Sequence, residues 1–110
     1  MATGRKAQEY CFEQYLNDEN KIFVKFVFGK GFQIDAFVVS LISIVNGKAN
    51  EIIRFDGTKI EKPNVHRFYN KPQSKEYIEM PKSFETIEEF IENIKENWVY
   101  YRLKYEENYN

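Results

Sequence analysis

The dipeptide Asn46-Gly47, set between two apolar runs, constrains this chain more than any other feature. A two-residue type I′ turn needs positive φ at both central positions, and Asn followed by Gly accepts it at least cost, so Val45-Asn46-Gly47-Lys48 predicts a tight β-hairpin. The first arm, residues 32–45, becomes apolar on both faces toward its end, as a central strand does; the second arm holds Ile52-Ile53-Arg54-Phe55-Asp56. Counting back from a two-residue loop sets Leu41 against Ile52, Val39 against Arg54 and Phe37 against Asp56. Arg54 and Asp56 then share one face, because side chains alternate along a strand.

Upstream, residues 21–28 place Ile22, Val24, Phe26 and Phe28 on one side and Lys25 on the other, which predicts a strand ending at Gly29-Lys30-Gly31. Residues 5–16 carry two periods at once. Ala7, Tyr10, Cys11, Gln14 and Tyr15 have helical spacing, whereas Tyr10, Phe12, Gln14 and Leu16 alternate; a short N-terminal helix is the reading favoured here. Downstream, a polar loop follows Asp56-Gly57, extended chain returns at 65–69, Pro72 marks a turn, and a last short strand is expected over 76–80.

The final third changes character. Ile87, Phe90, Ile91, Ile94, Trp98, Tyr101 and Tyr105 recur three and four residues apart, the pattern of an amphipathic helix. Thr86 and Glu89 have the spacing of a capping box, and residues 106–110 read as a frayed tail. Together these signals predict one α+β domain over residues 1–110, with an antiparallel sheet of four to five strands packed against the long C-terminal helix.

Charge and composition narrow the function. Sixteen basic residues against seventeen acidic ones leave a net charge of -1, so no global field draws the protein onto nucleic acid or anionic lipid. One cysteine and one histidine exclude disulfide frameworks, zinc ribbons and two-histidine metal sites within a chain, and Cys11 is expected in the core. No cofactor or metal is expected: Gly29-Lys30-Gly31 lacks the third glycine of a nucleotide loop, and Asp56, Glu61 and His66 match no metal loop. The longest apolar run, 36–45, falls far short of the ~20 residues of a spanning helix, and the first residues lack a signal-peptide core. A cytoplasmic location is expected.

Charge is uneven along the chain. Arg54, Lys59, Lys62, Arg67, Lys71 and Lys75 stand against Asp56 and Glu61, whereas residues 83–110 carry seven acidic and three basic side chains. The basic stretch holds the only histidine, where phosphate chemistry would sit. His66 would serve as general acid or base, Arg54 and Arg67 would hold a phosphate, Asp56 would orient Arg54 or His66, and Tyr69 and Lys71 would contact the substrate. The plainer reading makes His66 a surface residue and Arg54–Asp56 a structural ion pair. A different class of function, a non-enzymatic protein-interaction module or homodimer, would use Trp98 and Tyr101 in the tyrosine-rich helix end.

Residues 34–105 resemble the TumE-like group of small α+β prokaryotic proteins, which occur as toxin components of toxin-antitoxin pairs, or a related uncharacterised family. The resemblance rests on the strand 37–45, the hairpin into Ile52-Ile53-Arg54-Phe55-Asp56, the loop leading to His66, and Phe84-Glu85-Thr86-Ile87-Glu88-Glu89-Phe90 at the helix start. Where such proteins often carry a His-x-His pair, this chain has His66 followed by Arg67 and Phe68. The resemblance implies the toxin component of a toxin-antitoxin pair, with an antitoxin protein as partner, and leaves the activity open; the set around His66 is what would act on RNA, by metal-independent phosphodiester cleavage.

Overall fold

A computed structural model of the protein describes residues 8–109, with the backbone alone at Phe32. Strands β1 (Gln8–Asn17), β2 (Asn20–Phe28), β3 (Ile34–Val45), β4 (Lys48–Gly57), β5 (Asn64–Arg67) and β6 (Ser74–Tyr77) are followed by helix α1 (Phe84–Tyr109). The strands pair in chain order, each antiparallel to the next, and α1 lies across one face, mainly over β3 and β4. The class is α+β, with six strands rather than four to five.

The added strand is β1, where a short helix was the favoured reading. Its alternation prevails because it meets a matching row: Tyr10 stands opposite Phe26, and Phe12 opposite Val24. Helical spacing would forfeit that row and the ladder hydrogen bonds with it. The same geometry corrects the expectation for Cys11, which falls on the opposite face from Phe12 and is exposed. Residues 5–7 of the ambiguous segment lie outside the described residues.

The β3–β4 turn is as the sequence implied, with φ of 53° at Asn46 and 77° at Gly47, and Val45 pairs with Lys48. Beyond Ile42 the register differs from simple counting. Ile42 pairs with Glu51 but Leu41 pairs with Ile53, so Ile52 is the extra residue of a β-bulge. Arg54 therefore lies opposite Ser40, and Asp56 opposite Val38. Both still share a face, but it is the one turned away from α1.

Under the helix, Ile22, Val24, Phe37, Val39, Leu41, Ile52, Ile53, Phe55 and Val65 form the core with Ile87, Phe90 and Ile94 of α1. Phe90 stacks on Phe55 with ring centroids 4.3 Å apart and lies 5.9 Å from Phe37. Helix α1 begins earlier than its predicted cap, because Ser83 Oγ accepts the Thr86 N–H at 3.2 Å; Thr86 itself is buried in the first turn. Nor does the helix fray at 106. Asn108 donates to the Tyr69 carbonyl at 2.7 Å and Tyr109 to the Asn70 carbonyl at 2.7 Å, tying the last turn to the loop after β5. Near the other end of the core, Arg102 donates to Asn20 Oδ1 at 3.2 Å, which also accepts from Ser43 at 2.6 Å.

Candidate functional site

The sheet face opposite α1 carries the sequence-predicted chemistry. Arg54 donates from Nε to Asp56 at 2.8 Å and from a terminal nitrogen to Glu51 at 2.9 Å. Glu51 also accepts from the buried Ser40 hydroxyl at 2.6 Å. The guanidinium lies 5.1 Å from the centre of the Phe68 ring, and Phe68 stacks on His66 at 4.0 Å. Each flat side of this assembly rests on the next, so Arg54 is held by two carboxylates and a ring.

His66 is bracketed across the sheet. Its direct partner on β4 is Arg54 and its direct partner on β6 is Lys75, which sets three basic side chains in one lateral row. Its Nε2 lies 3.2 Å from the side-chain amide of Gln73, a contact that fixes where the ring sits in the row. Lys75 is itself engaged by Glu61 at 3.1 Å, and the Tyr77 hydroxyl donates to the same carboxylate oxygen at 3.0 Å. Hydrogen bonding from Lys75, then from Tyr77, holds the Glu61 carboxyl below its usual range, and Glu61 in turn holds the Lys75 ammonium above its own. Glu51, Asp56 and Glu61 thus offset the cations of the row. The positive excess seen along residues 54–75 does not survive as an open cationic patch at this place.

The remaining predicted residues lie elsewhere. Arg67 follows His66 on β5 and points to the helix side, where it pairs with Glu76 at 2.9 Å. Tyr69 is buried and stacks on Tyr101 at 5.4 Å; burial pushes both phenols up, and Arg67 pulls in the opposite direction. Lys71 sits over the ring of Tyr109 at 5.6 Å. Arg54, Asp56 and His66 therefore share one face, and Arg67, Tyr69 and Lys71 do not join them. Trp98 and Tyr101 are partly buried against the core, and the Tyr101 hydroxyl donates to Asn93 at 2.6 Å. The exposed large apolar side chains of the helix end are Val99, Tyr100, Leu103 and Tyr109.

Sequence reasoning missed Glu51, Ser40 and Gln73 around Arg54 and His66, and counted Lys75 in the basic stretch without giving it a place beside His66. Only the bulge and the β5–β6 register bring them there, and neither leaves a mark as distinct as Asn-Gly. It also missed the edge of the sheet. Among the described residues β1 pairs with β2 alone, so one side of its backbone has no strand beside it. Tyr10 is 47% exposed and Phe12 46%, and with Phe26, Phe28 and Phe84 they line the helix-side surface of this edge. Tyr10 lies 5.7 Å from Phe26 and 5.4 Å from Phe28, while Phe84 lies 5.5 Å and 5.2 Å from the same two rings. Within β1 there is no proline or lysine; its charges, Glu9 and Glu13, are engaged by Lys25 at 3.2 Å and Lys21 at 3.0 Å. Alternation at Tyr10, Phe12 and Gln14 was the available signal.

The whole described fold, from the β1 edge to the end of α1, falls within one family match. The chain belongs to the family described as a domain of unknown function, DUF7718, whose model matches residues 4–110. No curated protein and no solved structure matches it. Among the described residues no group of His, Cys, Asp and Glu is placed to hold a metal ion, and no helix is long and apolar enough to cross a membrane.

Proposed function

We propose that this domain is a non-enzymatic protein-interaction module that takes a partner by strand addition at β1. The observation that carries the reading is an open ten-residue edge strand whose aromatic side chains stay about half exposed. An unpaired edge is a template for another chain: backbone groups supply affinity, and pockets beside alternate side chains supply selectivity. Here the aromatic surface formed by Tyr10, Phe26, Phe28 and Phe84 would receive apolar side chains of an extended segment. Displayed peptide libraries test this directly. Enriched sequences should alternate apolar and polar residues, protect β1 amides from hydrogen exchange, and lose binding when Phe12→Lys places a charge on the edge. A library that yields no binder, with β1 amides unprotected throughout, overturns the module.

A second reading is favoured by the lateral row Arg54, His66 and Lys75. In it the domain is a cytoplasmic toxin, neutralised by an antitoxin protein, that cleaves RNA without metal through His66. A phosphodiester would have to displace Glu51 or Asp56 from Arg54, which makes this the weaker fit to the geometry. His66→Ala should then abolish growth inhibition on expression while the folded circular dichroism spectrum persists. Inhibition retained in full by that variant ends the catalytic version.

A further inference from the structure

Resting on the interaction reading, we propose that β1 pairs antiparallel with β1 of a second copy, about a two-fold axis through Phe12, to make one continuous sheet. A two-fold axis perpendicular to the sheet keeps each face on its own side, so opposed residues must share parity, and their numbers must sum to an even value. Few such registers use most of the strand. Centring on Cys11 sets Glu9 against Glu13 of the other copy, and centring on Glu13 sets that residue against itself; both oppose like charges. Centring on Gln14 avoids this but leaves Tyr10 without an opposing strand residue.

Centring on Phe12 pairs residues 8–16 throughout. Phe12 meets its own counterpart, Tyr10 meets Gln14, Cys11 meets Glu13, and Glu9 meets Tyr15. Charge complementarity decides in favour of a second copy. Lys25 is the β2 partner of Cys11 and Lys21 the β2 partner of Tyr15, so the row through Cys11 runs from Lys25 to the other copy's Glu13. Likewise the row through Tyr15 runs from Lys21 to the other copy's Glu9. Lys25 and Lys21, which bridge Glu9 and Glu13 of their own chain at 3.2 Å and 3.0 Å, would then also face an acidic residue of the other copy across a single intervening side chain, alternating the charges on the face away from α1. On the helix side, the half-exposed Phe12 rings cover each other beside the two aromatic clusters.

Site-directed crosslinking in a Cys11→Ser background tests both the pairing and its register. Phe12→Cys should form a disulfide-linked dimer under mild oxidation, whereas Tyr10→Cys, displaced from its counterpart by four residues, should not. Wild-type protein should be dimeric by light scattering, and Phe12→Lys should weaken the dimer at least tenfold while keeping the folded spectrum. Because a variant can fail to fold, hydrogen exchange on the unaltered chain supplies the independent reading: β1 amides should gain protection as concentration rises. A wild-type monomer at several hundred micromolar, or a dimer that does not crosslink through position 12, overturns the proposal. A monomer whose β1 is still protected by a selected peptide overturns self-pairing alone. If β1 is protected by neither a second copy nor a peptide, the interaction module falls with it.

Discussion

Glu51 and Arg54 are three residues apart on one strand, yet their side chains meet at 2.9 Å on the same face of the sheet. In an unbroken strand they would point to opposite faces. The bulge at Ile52 removes one step of the alternation, leaving both Ile52 and Ile53 in the core and turning Glu51 and Arg54 outward together. One inserted residue thus assembles the Ser40–Glu51–Arg54–Asp56 network and decides which face the only histidine looks onto.

That network should be measurable as a coupling. Arg54→Met leaves two neighbouring carboxylates without their shared cation and should cost about 1–2 kcal/mol in urea unfolding. Because the side chains are partly exposed, a double-mutant cycle of Arg54→Met with Asp56→Asn should return only about 0.5–1 kcal/mol, reduced further in high salt. A coupling of zero would mean that the Asp56 contact adds nothing to stability.

The helix start separates two capping assignments. Ser83→Ala removes the acceptor for the Thr86 N–H and should destabilise by about 1 kcal/mol, whereas Glu89→Gln should change stability by no more than about 0.5 kcal/mol. Denaturant melts of the two variants decide it, since the reverse order would restore Thr86 as the cap.

Phe90 joins the helix to the sheet through its stack on Phe55. Phe90→Ala should cost about 3–5 kcal/mol, the range for emptying a buried aromatic site, while Phe84→Ala, which removes a ring already 41% exposed, should cost far less. Thermal denaturation of both variants would show equal losses if the helix were anchored at its first turn instead.

The Lys75–Glu61 pair predicts a pH dependence of defined sign. Glu61 is lowered in the folded state, so its contribution is present above its unfolded value near 4.5 and is lost as pH falls through the folded one. Lys75 is raised, so its contribution is present below 10.5 and is lost as pH rises through its folded value. Lys75→Met should therefore be less stable than wild type across the neutral range, with the difference closing at both acid and alkaline extremes. A difference independent of pH would assign the effect to packing of the lysine stem.

Much of this fold was legible because it depends on local chemistry. Asn46 and Gly47 bring their own positive φ, residues 21–28 alternate unmistakably, and the stripe from Ile87 to Tyr105 has only one helical solution. Where two local patterns coexisted, as over residues 8–16, only the row offered by β2 chose between them. Cys11 followed that choice out of the core, since a strand sends alternate side chains to opposite faces.

The candidate site divides along the same line. That Arg54 and Asp56 share a face was readable from alternation; which face, and with what company, was not. A bulge shows in the sequence only as one more apolar residue, Ile52 beside Ile53, and its effect on every later side chain depends on how β4 lies against β3. Likewise, the sequence by itself determined the basic composition of residues 54–75 and the acidic character of the helix. Tertiary structure decided that Glu51, Asp56 and Glu61 would sit among those cations, that Arg67 and Tyr69 would face the helix, and that β1 would be left as an open edge. Local propensities are set by neighbours along the chain, whereas register, facing and exposure are set by neighbours across the sheet.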